Sequence, residues 1–144
     1  MSAMLLVVTV AGRRAALPAE RVNSVVEPAS VVPVPRAPVH VAGLAALRSR
    51  PLTIIDCQAA LGFGLAPSQD GIARAVVVEH EGHLYGLAVD AADDIVPALS
   101  EPNVPADPGP GWNSASLGVV ESPLGPLLVL DIGRLVAGTA ALDV

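Results

Sequence analysis

The sequence predicts an all-β chain: two small barrels of roughly five strands each, side by side around a shared apolar core, with two short helices. Three observations carry that prediction. Short runs of Val, Leu, Ile and Ala recur every ten to fifteen residues between Gly, Pro, Asn and Asp, and stretches of helical period are almost absent. The chain repeats itself, weakly, in two halves. And 52% of its 144 residues are hydrophobic against 15% charged, so there is a core to build, while 13 Gly and 14 Pro supply many turns.

Taken in order, strands are expected at 4–10, 14–17, 22–26, 39–47, 52–55, 73–80, 84–89, 95–99, 116–120 and 127–130. Gly12 and Gly82 sit between apolar runs as hairpin turns. Helical signal is confined to 57–61 and 132–137. Each of these pieces opens after an aspartate, Asp56 or Asp131, and stops at a glycine, Gly62 or Gly138, which is the pattern of an acidic N-cap and a left-handed stop.

The repeat emerges when Gly12 is placed on Gly82. Residues 7–26 then align with residues 77–96 at a shift of 70, Leu17 meeting Leu87, Glu20 meeting Asp90, and Val25-Val26 meeting Ile95-Val96. Further on, residues 51–61 meet 126–136 at a shift of 75, and a Pro-rich stretch lies between the two blocks in both halves, at 28–38 and 97–110. One domain spanning 1–144 is expected, with approximate halves 1–66 and 67–144 and with terminal segments free to exchange between them. Neither half is large enough to bury much alone, so a common core follows.

Charge narrows the partners. Eight basic residues, all Arg, face 14 acidic ones for a net charge of −6, a poor surface for nucleic acid or anionic lipid. A single cysteine, Cys57, cannot form an internal disulfide or a thiolate metal cage, which suits a reducing compartment. The apolar run 4–11 is far shorter than the roughly 20 residues of a membrane span. Its flanks are the reverse of a signal peptide's, with Arg13-Arg14 after it. A cytoplasmic protein with no anchor of its own is expected.

Candidate chemistry is sparse. Asp56 and Asp131 occupy equivalent places in the repeat and could form the paired carboxylates of a small aspartic hydrolase, but their flanks, Cys57-Gln58 and Ile132-Gly133, lack the Thr/Ser-Gly that such loops use, and capping accounts for both. Glu79-His80-Glu81-Gly82-His83 crowds possible metal ligands into a hairpin turn, with His40 the only other imidazole. Cys57 has no neighbouring His to activate it. The segment 33–38 could be read as a polyproline ligand, but its prolines fit an edge or crossover better. No catalytic residue, metal or cofactor is expected, and a module that works by presenting surfaces is what remains.

At VHVAGLAALRSRPLTIIDCQAALG, residues 39–62, the chain resembles the central signature of CheW-like chemotaxis coupling proteins: a Gly, an apolar stretch and an Arg leading into a strand that ends Ile-Asp before a short helix. Upstream, ALPAERVNSVVEPASVVPVP is similar to that family's first hairpin and following strand; downstream, HLYGLAVDAADDIV is similar to its second hairpin. The resemblance implies two five-stranded SH3-like barrels. It also implies a non-enzymatic adaptor that joins the helical hairpin tips of chemoreceptors to the regulatory domain of a CheA-type histidine kinase, at membrane-associated receptor arrays. A related adaptor serving another chemosensory or motility kinase is the nearest alternative.

Carried over by position, the resemblance implies a receptor-binding set of Val22, Ser24, Gly43, Leu44 and Arg48, with Arg48 orienting the receptor and the apolar members lining a groove; it names no kinase-binding residue. Three departures stand out. Ser49 follows Arg48 where the family usually has Gly, and serine is strained at a positive φ. Ser24 stands where an acidic residue is common, and Cys57-Gln58 replaces an apolar-basic pair.

Overall fold

A computed structural model describes residues 3–28, 30–64, 74–103 and 108–138. It contains ten strands and two short helices: β1 Met4–Val10, β2 Arg13–Pro18, β3 Val22–Val26, β4 Val41–Leu47, β5 Arg50–Asp56, α1 Cys57–Ala60, β6 Arg74–His80, β7 His83–Val89, β8 Ala91–Pro97, β9 Ser116–Ser122, β10 Gly125–Leu130 and α2 Ile132–Ala137. All ten expected strands are present. The expected start at residue 73 and the boundary at 66/67 lie outside the described residues. The largest shift is in β8, expected at 95–99 and observed from Ala91. Its acidic start reads as a turn, yet pairing with β1 draws it into the sheet through a bulge that sets Val7 against Asp94 and Val8 against Ala92.

The strands form two five-stranded sheets, ordered β8-β1-β2-β10-β9 and β3-β6-β7-β5-β4. All pairings are antiparallel except β2 with β10 and β5 with β7. The sequence repeat is legible in this order. At the shifts of 70 and 75, β1 to β5 map onto β6 to β10, and the two sheets become the same arrangement. The parallel pair Thr53 and Tyr85 maps onto Leu128 and Ala15, which are also partners. The sheets are not the sequence halves, however: the hairpin β1–β2 lies with β8, β9 and β10, while β6–β7 lies with β3, β4 and β5. The two repeats have exchanged their first hairpins.

Each sheet is closed by the segment that follows one of its edge strands, β3 in one sheet and β8 in the other. Val32 exchanges two backbone hydrogen bonds of 2.8 Å with Leu44, and Asn103 exchanges bonds of 2.8 and 2.6 Å with Val119. The Pro-rich stretches therefore supply the closing edges of the barrels, where few backbone donors are needed. Closure brings backbones very near each other at Gly43 and Gly118. A Cβ on Gly43, at φ 153°, would lie 2.4 Å from the Val32 carbonyl oxygen; a Cβ on Gly118, at φ 124°, would lie 2.9 Å from that of Asn103.

Burial explains why the strands read as near-continuous apolar runs rather than clean alternation. On β1, Leu5 and Val7 point into the first barrel with Ala16, Val96, Val120, Leu127 and Val129. Its Leu6, Val8 and Val10 point the other way, into a larger core shared with Val76, Val78 and Leu87 of the second sheet and with Cys57, Leu61, Ile132 and Leu135 of the helical segments. The second barrel has its own interior of Leu52, Ile54, Ala75, Val77 and Leu84. Three hairpin turns, Ala11-Gly12, Arg48-Ser49 and Glu81-Gly82, have both residues at positive φ, as two-residue turns matched to the strand twist require.

Candidate functional site

β4 positions the residues singled out at its centre and end. Leu44, Ala46 and Arg48 are exposed, alternating with Ala45 and Leu47, which pack on the interior of the second barrel. Leu44 lies beside Val32, its partner in the closing bridge, and both side chains face solvent, at 41% and 62% exposure. Arg48 and Ser49 form the turn at φ 49° and 70°. Ser49 thus occupies a left-handed position without glycine's freedom, which costs about 1–2 kcal/mol.

The parallel register of β5 and β7 places this turn alongside the Glu81-Gly82 turn. Across the same pair Thr53 Oγ1 is 2.9 Å from His83 Nε2, and the His83 ring lies 4.9 Å from that of Tyr85. Among the described residues no group of three or more His, Cys, Asp or Glu is placed to hold a metal ion. His40 is buried elsewhere. Its Nε2 donates to the carbonyl of Val136 at 2.8 Å, tying the entry of β4 to α2.

The arginines divide by what holds them. Arg13 donates to the Pro108 carbonyl and lies over the Trp112 ring, Arg21 donates to the Glu79 carbonyl, Arg74 pairs with Glu27, and Arg134 pairs with Asp131. Arg14, Arg36, Arg48 and Arg50 have no ion-pair partner among the described residues, and of these Arg48 stands on the turn at the end of the exposed strip of β4. An exposed guanidinium on a rigid turn, next to an apolar strip, is the combination that anchors protein contacts.

The other expected site residues are placed differently. Gly43 is buried under the closing bridge, and its visible role is to let two backbones meet. Val22 and Ser24 lie on β3, at the opposite edge of the sheet from β4, so no direct strand pairing joins them to Leu44. Val22 is half-buried and packs on the shared core. A bulge at Asn23 is the reason, because it turns Val22 toward that core while Val26 faces the interior of the second barrel.

The two aspartates of the hydrolase reading are caps of separate helices. Asp56 Oδ1 accepts from Ala59 N at 3.2 Å and Asp131 Oδ1 from Arg134 N at 3.3 Å. That arrangement accounts for both carboxylates and overturns the dyad. Cys57 is buried at the start of α1; burial first, then the charges of Asp56 and Asp90, push its thiol far up, so it stays protonated and is a poor nucleophile.

One surface was missed from the sequence. On the first barrel an open groove of about 1020 Å³ has Met4, Ile95, Leu99 and Leu117 among its lining residues, together with Glu20 and Glu101. All four apolar residues are more than 40% exposed. The available signal was the repeat itself, which sets Met4 against Arg74, an apolar residue against a charged one at the same place on the two sheets.

A family model, the CheW-like domain, matches residues 4–140. The chain belongs to the CheW-like family. Among solved structures, the scaffolding protein TtCheW from Thermoanaerobacter tengcongensis superposes with a TM-score of 0.78 at 23% identity, covering 94% of this chain and 88% of that one, so the two share a fold. A search of curated proteins finds no match. Family membership makes this CheW-like chain a chemotaxis adaptor that works through protein–protein contacts. No helix among the described residues is long and apolar enough to cross a membrane.

Proposed function

We propose that this CheW-like protein couples the cytoplasmic hairpin tips of chemoreceptors to the regulatory domain of a CheA-type histidine kinase, as a non-enzymatic cytoplasmic scaffold recruited to receptor arrays. The observation that carries the reading is Arg48: exposed, unpaired among the described residues and held on a two-residue turn at the end of the strip formed by Val32, Leu44 and Ala46. A receptor hairpin laid along this strip buries its apolar side chains on Leu44, and Arg48 orients it by a charge-assisted hydrogen bond to a carboxylate or carbonyl. Gly43 acts from beneath, by keeping the closing segment in register, and Val22 and Ser24 form the edge on β3.

Arg48→Glu tests the reading. Binding to a receptor cytoplasmic fragment should fall by about 2–5 kcal/mol, as for a truncated buried charge pair, with the melting temperature unchanged because the side chain is exposed and has no ion-pair partner among the described residues. Normal binding by that variant would remove Arg48 from the interface. For the second partner, a mixture with the kinase regulatory domain should elute as a complex in gel filtration, and separate elution would count against the coupling role.

A further inference from the structure

Five residues form a row across the second sheet. Leu44 is the register partner of Thr53, Thr53 of Tyr85, Tyr85 of Val78 and Val78 of Val22. Partners in register point to the same side of a sheet, so the row joins the exposed strip of β4 to Val22 on β3 across one face. Two of the chain's three histidines stand beside its centre. His80 and His83 are partners across the Glu81-Gly82 turn and lie on this face, each two residues along its strand from a member of the row. Both rings are held. His83 Nε2 is 2.9 Å from Thr53 Oγ1 and its ring lies 4.9 Å from that of Tyr85. The His80 ring lies 6.4 Å from Tyr85 and so near α2 that a Cβ on Gly133 would come within 3.2 Å of it.

Imidazole is the side chain whose ordinary titration falls between about pH 5 and 8. His40 is buried against α2 with its Nε2 spent on the Val136 carbonyl, and Cys57 is kept protonated by burial, which leaves the His80–His83 pair as the pH-responsive part of the surface. Around the pair stand Glu79 and Glu81 on the same hairpin, Arg48 and Arg50 on the neighbouring one, and Arg21, which donates to the Glu79 carbonyl at 3.1 Å; on α2, Asp131 and Arg134 pair with each other. Three arginines against two carboxylates leave one net positive charge while the imidazoles are neutral and three once both are protonated. We propose that His80 and His83 make receptor docking on this face pH-dependent: acid strengthens it, because each proton adds positive charge where the partner brings carboxylates. The inference rests on the receptor reading above. Arg48 and Arg50 have no ion-pair partner among the described residues, so a partner that covers them supplies the counter-charge. The two imidazoles are cross-strand neighbours, and like charges directly opposite are unfavourable; a carboxylate set against both relieves that cost. Protonation and docking therefore favour each other, and by linkage the complex takes up protons as it forms.

Isothermal titration calorimetry of the full-length chain with a receptor cytoplasmic fragment tests it. One charge at about 7 Å from a carboxylate in water is worth about threefold in affinity. Two protons should then tighten binding by about three- to tenfold between about pH 8 and about pH 6 in low salt, and high salt should erase the gain. Repeating the titration in buffers of different ionisation heat counts the protons, which the wild type should take up on binding. In His80→Gln/His83→Gln, whose side chains keep hydrogen bonds but carry no charge, the ratio of affinities at the two pH values should fall to about one. Equal affinity at both pH values, tighter binding in alkali, or a full ratio kept by the double variant overturns the inference and leaves the receptor reading standing. No binding at either pH removes the receptor reading and this one with it. Should the double variant prove unfolded by circular dichroism, His83→Gln alone, at the exposed ring, should halve the proton uptake; wild-type binding without uptake, or uptake unchanged in that variant, overturns the proposal.

Discussion

Replacing glycine by alanine at three places separates close backbone approach from backbone conformation. At Gly43 the new Cβ would lie 2.4 Å from the Val32 carbonyl oxygen, 2.8 Å from its carbon and 2.9 Å from Val31 Cγ1, at a φ of 153°. Two of these atoms are backbone and cannot swing aside, so the closing segment must move and its two hydrogen bonds between Val32 and Leu44 are lost. At about 1 kcal/mol for each bond, and about 1–3 kcal/mol for the strained φ, Gly43→Ala should cost about 3–5 kcal/mol. Gly118→Ala meets only one atom closer than 3.0 Å, the Asn103 oxygen at 2.9 Å, so a shift of a few tenths of an ångström keeps the bonds and the conformational cost of about 1–3 kcal/mol remains. Gly82→Ala has nothing within 4 Å and should cost about 1 kcal/mol for its left-handed turn. Urea unfolding followed by Trp112, the single and buried tryptophan, measures all three. If Gly43→Ala is no less stable than Gly82→Ala, the close approach does not hold the barrel shut. A Gly43 variant that keeps full stability but loses receptor binding would instead make this residue a direct contact.

Further outcomes follow from the same structure. Ser49→Gly should stabilise the protein by about 0.5–1 kcal/mol, the left-handed cost of serine less the added entropy of an unfolded glycine; a loss of stability would mean that the turn does not hold the φ of 70°. Cys57 gives a pH dependence whose sign is set by its raised folded value: above the ordinary 9.0 the unfolded chain loses the thiol proton and the folded one keeps it, so stability falls as pH rises. That fall is about 1.4 kcal/mol per pH unit from this one group, and it should be missing from the stability curve of Cys57→Ala; an unchanged slope in that variant would show the thiol is not sealed. Fragments 1–64 and 74–144, expressed separately, should each be unfolded by circular dichroism, because each barrel takes its first hairpin from one half and its other strands from the other; a fragment that folds alone would contradict the exchange.

The strand count, both helices and the existence of two equivalent units were legible because their signals are local: β-branched runs, an aspartate three residues before a free backbone N–H, and Gly12 or Gly82 in a two-residue turn. Exchange between the halves was open from the sequence, but that the first hairpins are what is exchanged was not legible, since β1 pairs as readily with its own repeat as with the other one in a linear pattern, and only the length and path of the connections decide. Facing was hidden for a related reason. Leu5 and Leu6 are adjacent and both buried, one in the first barrel and one in the shared core, so burial on two sides erases the alternation that would have told inside from outside. Arg48 and Leu44 could be found by position in a resembling segment; Val22 could be found the same way, but the bulge at Asn23 that turns it toward the core has no residue signature. The groove on the first barrel lay unseen because Met4, Ile95, Leu99 and Leu117 come from four separate stretches and meet only in the folded sheet.

The exchange of hairpins bears directly on what an adaptor must do. A molecule that joins two partners transmits a change in one to the other only if its two faces cannot move independently, and two barrels joined by a simple linker would be free to rotate. Here the groove lies on the first barrel and the Arg48 strip on the second, yet β1–β2 and β6–β7 each belong to the other unit's sheet. Between them lies one core in which Leu6, Val8 and Leu17 of the first sheet meet Val76, Val78 and Leu87 of the second. Relative rotation of the barrels would have to open that core and strain the chain crossings that link the two sheets, which makes the distance between the faces a property of the fold and not of a hinge. Leu87→Ala, at a side chain with no exposure, therefore reaches both faces at once. It should cost about 2–5 kcal/mol and loosen the two faces equally, seen as matched increases in amide hydrogen exchange on β4 and β8; an increase confined to the second barrel would show that the shared core does not couple them.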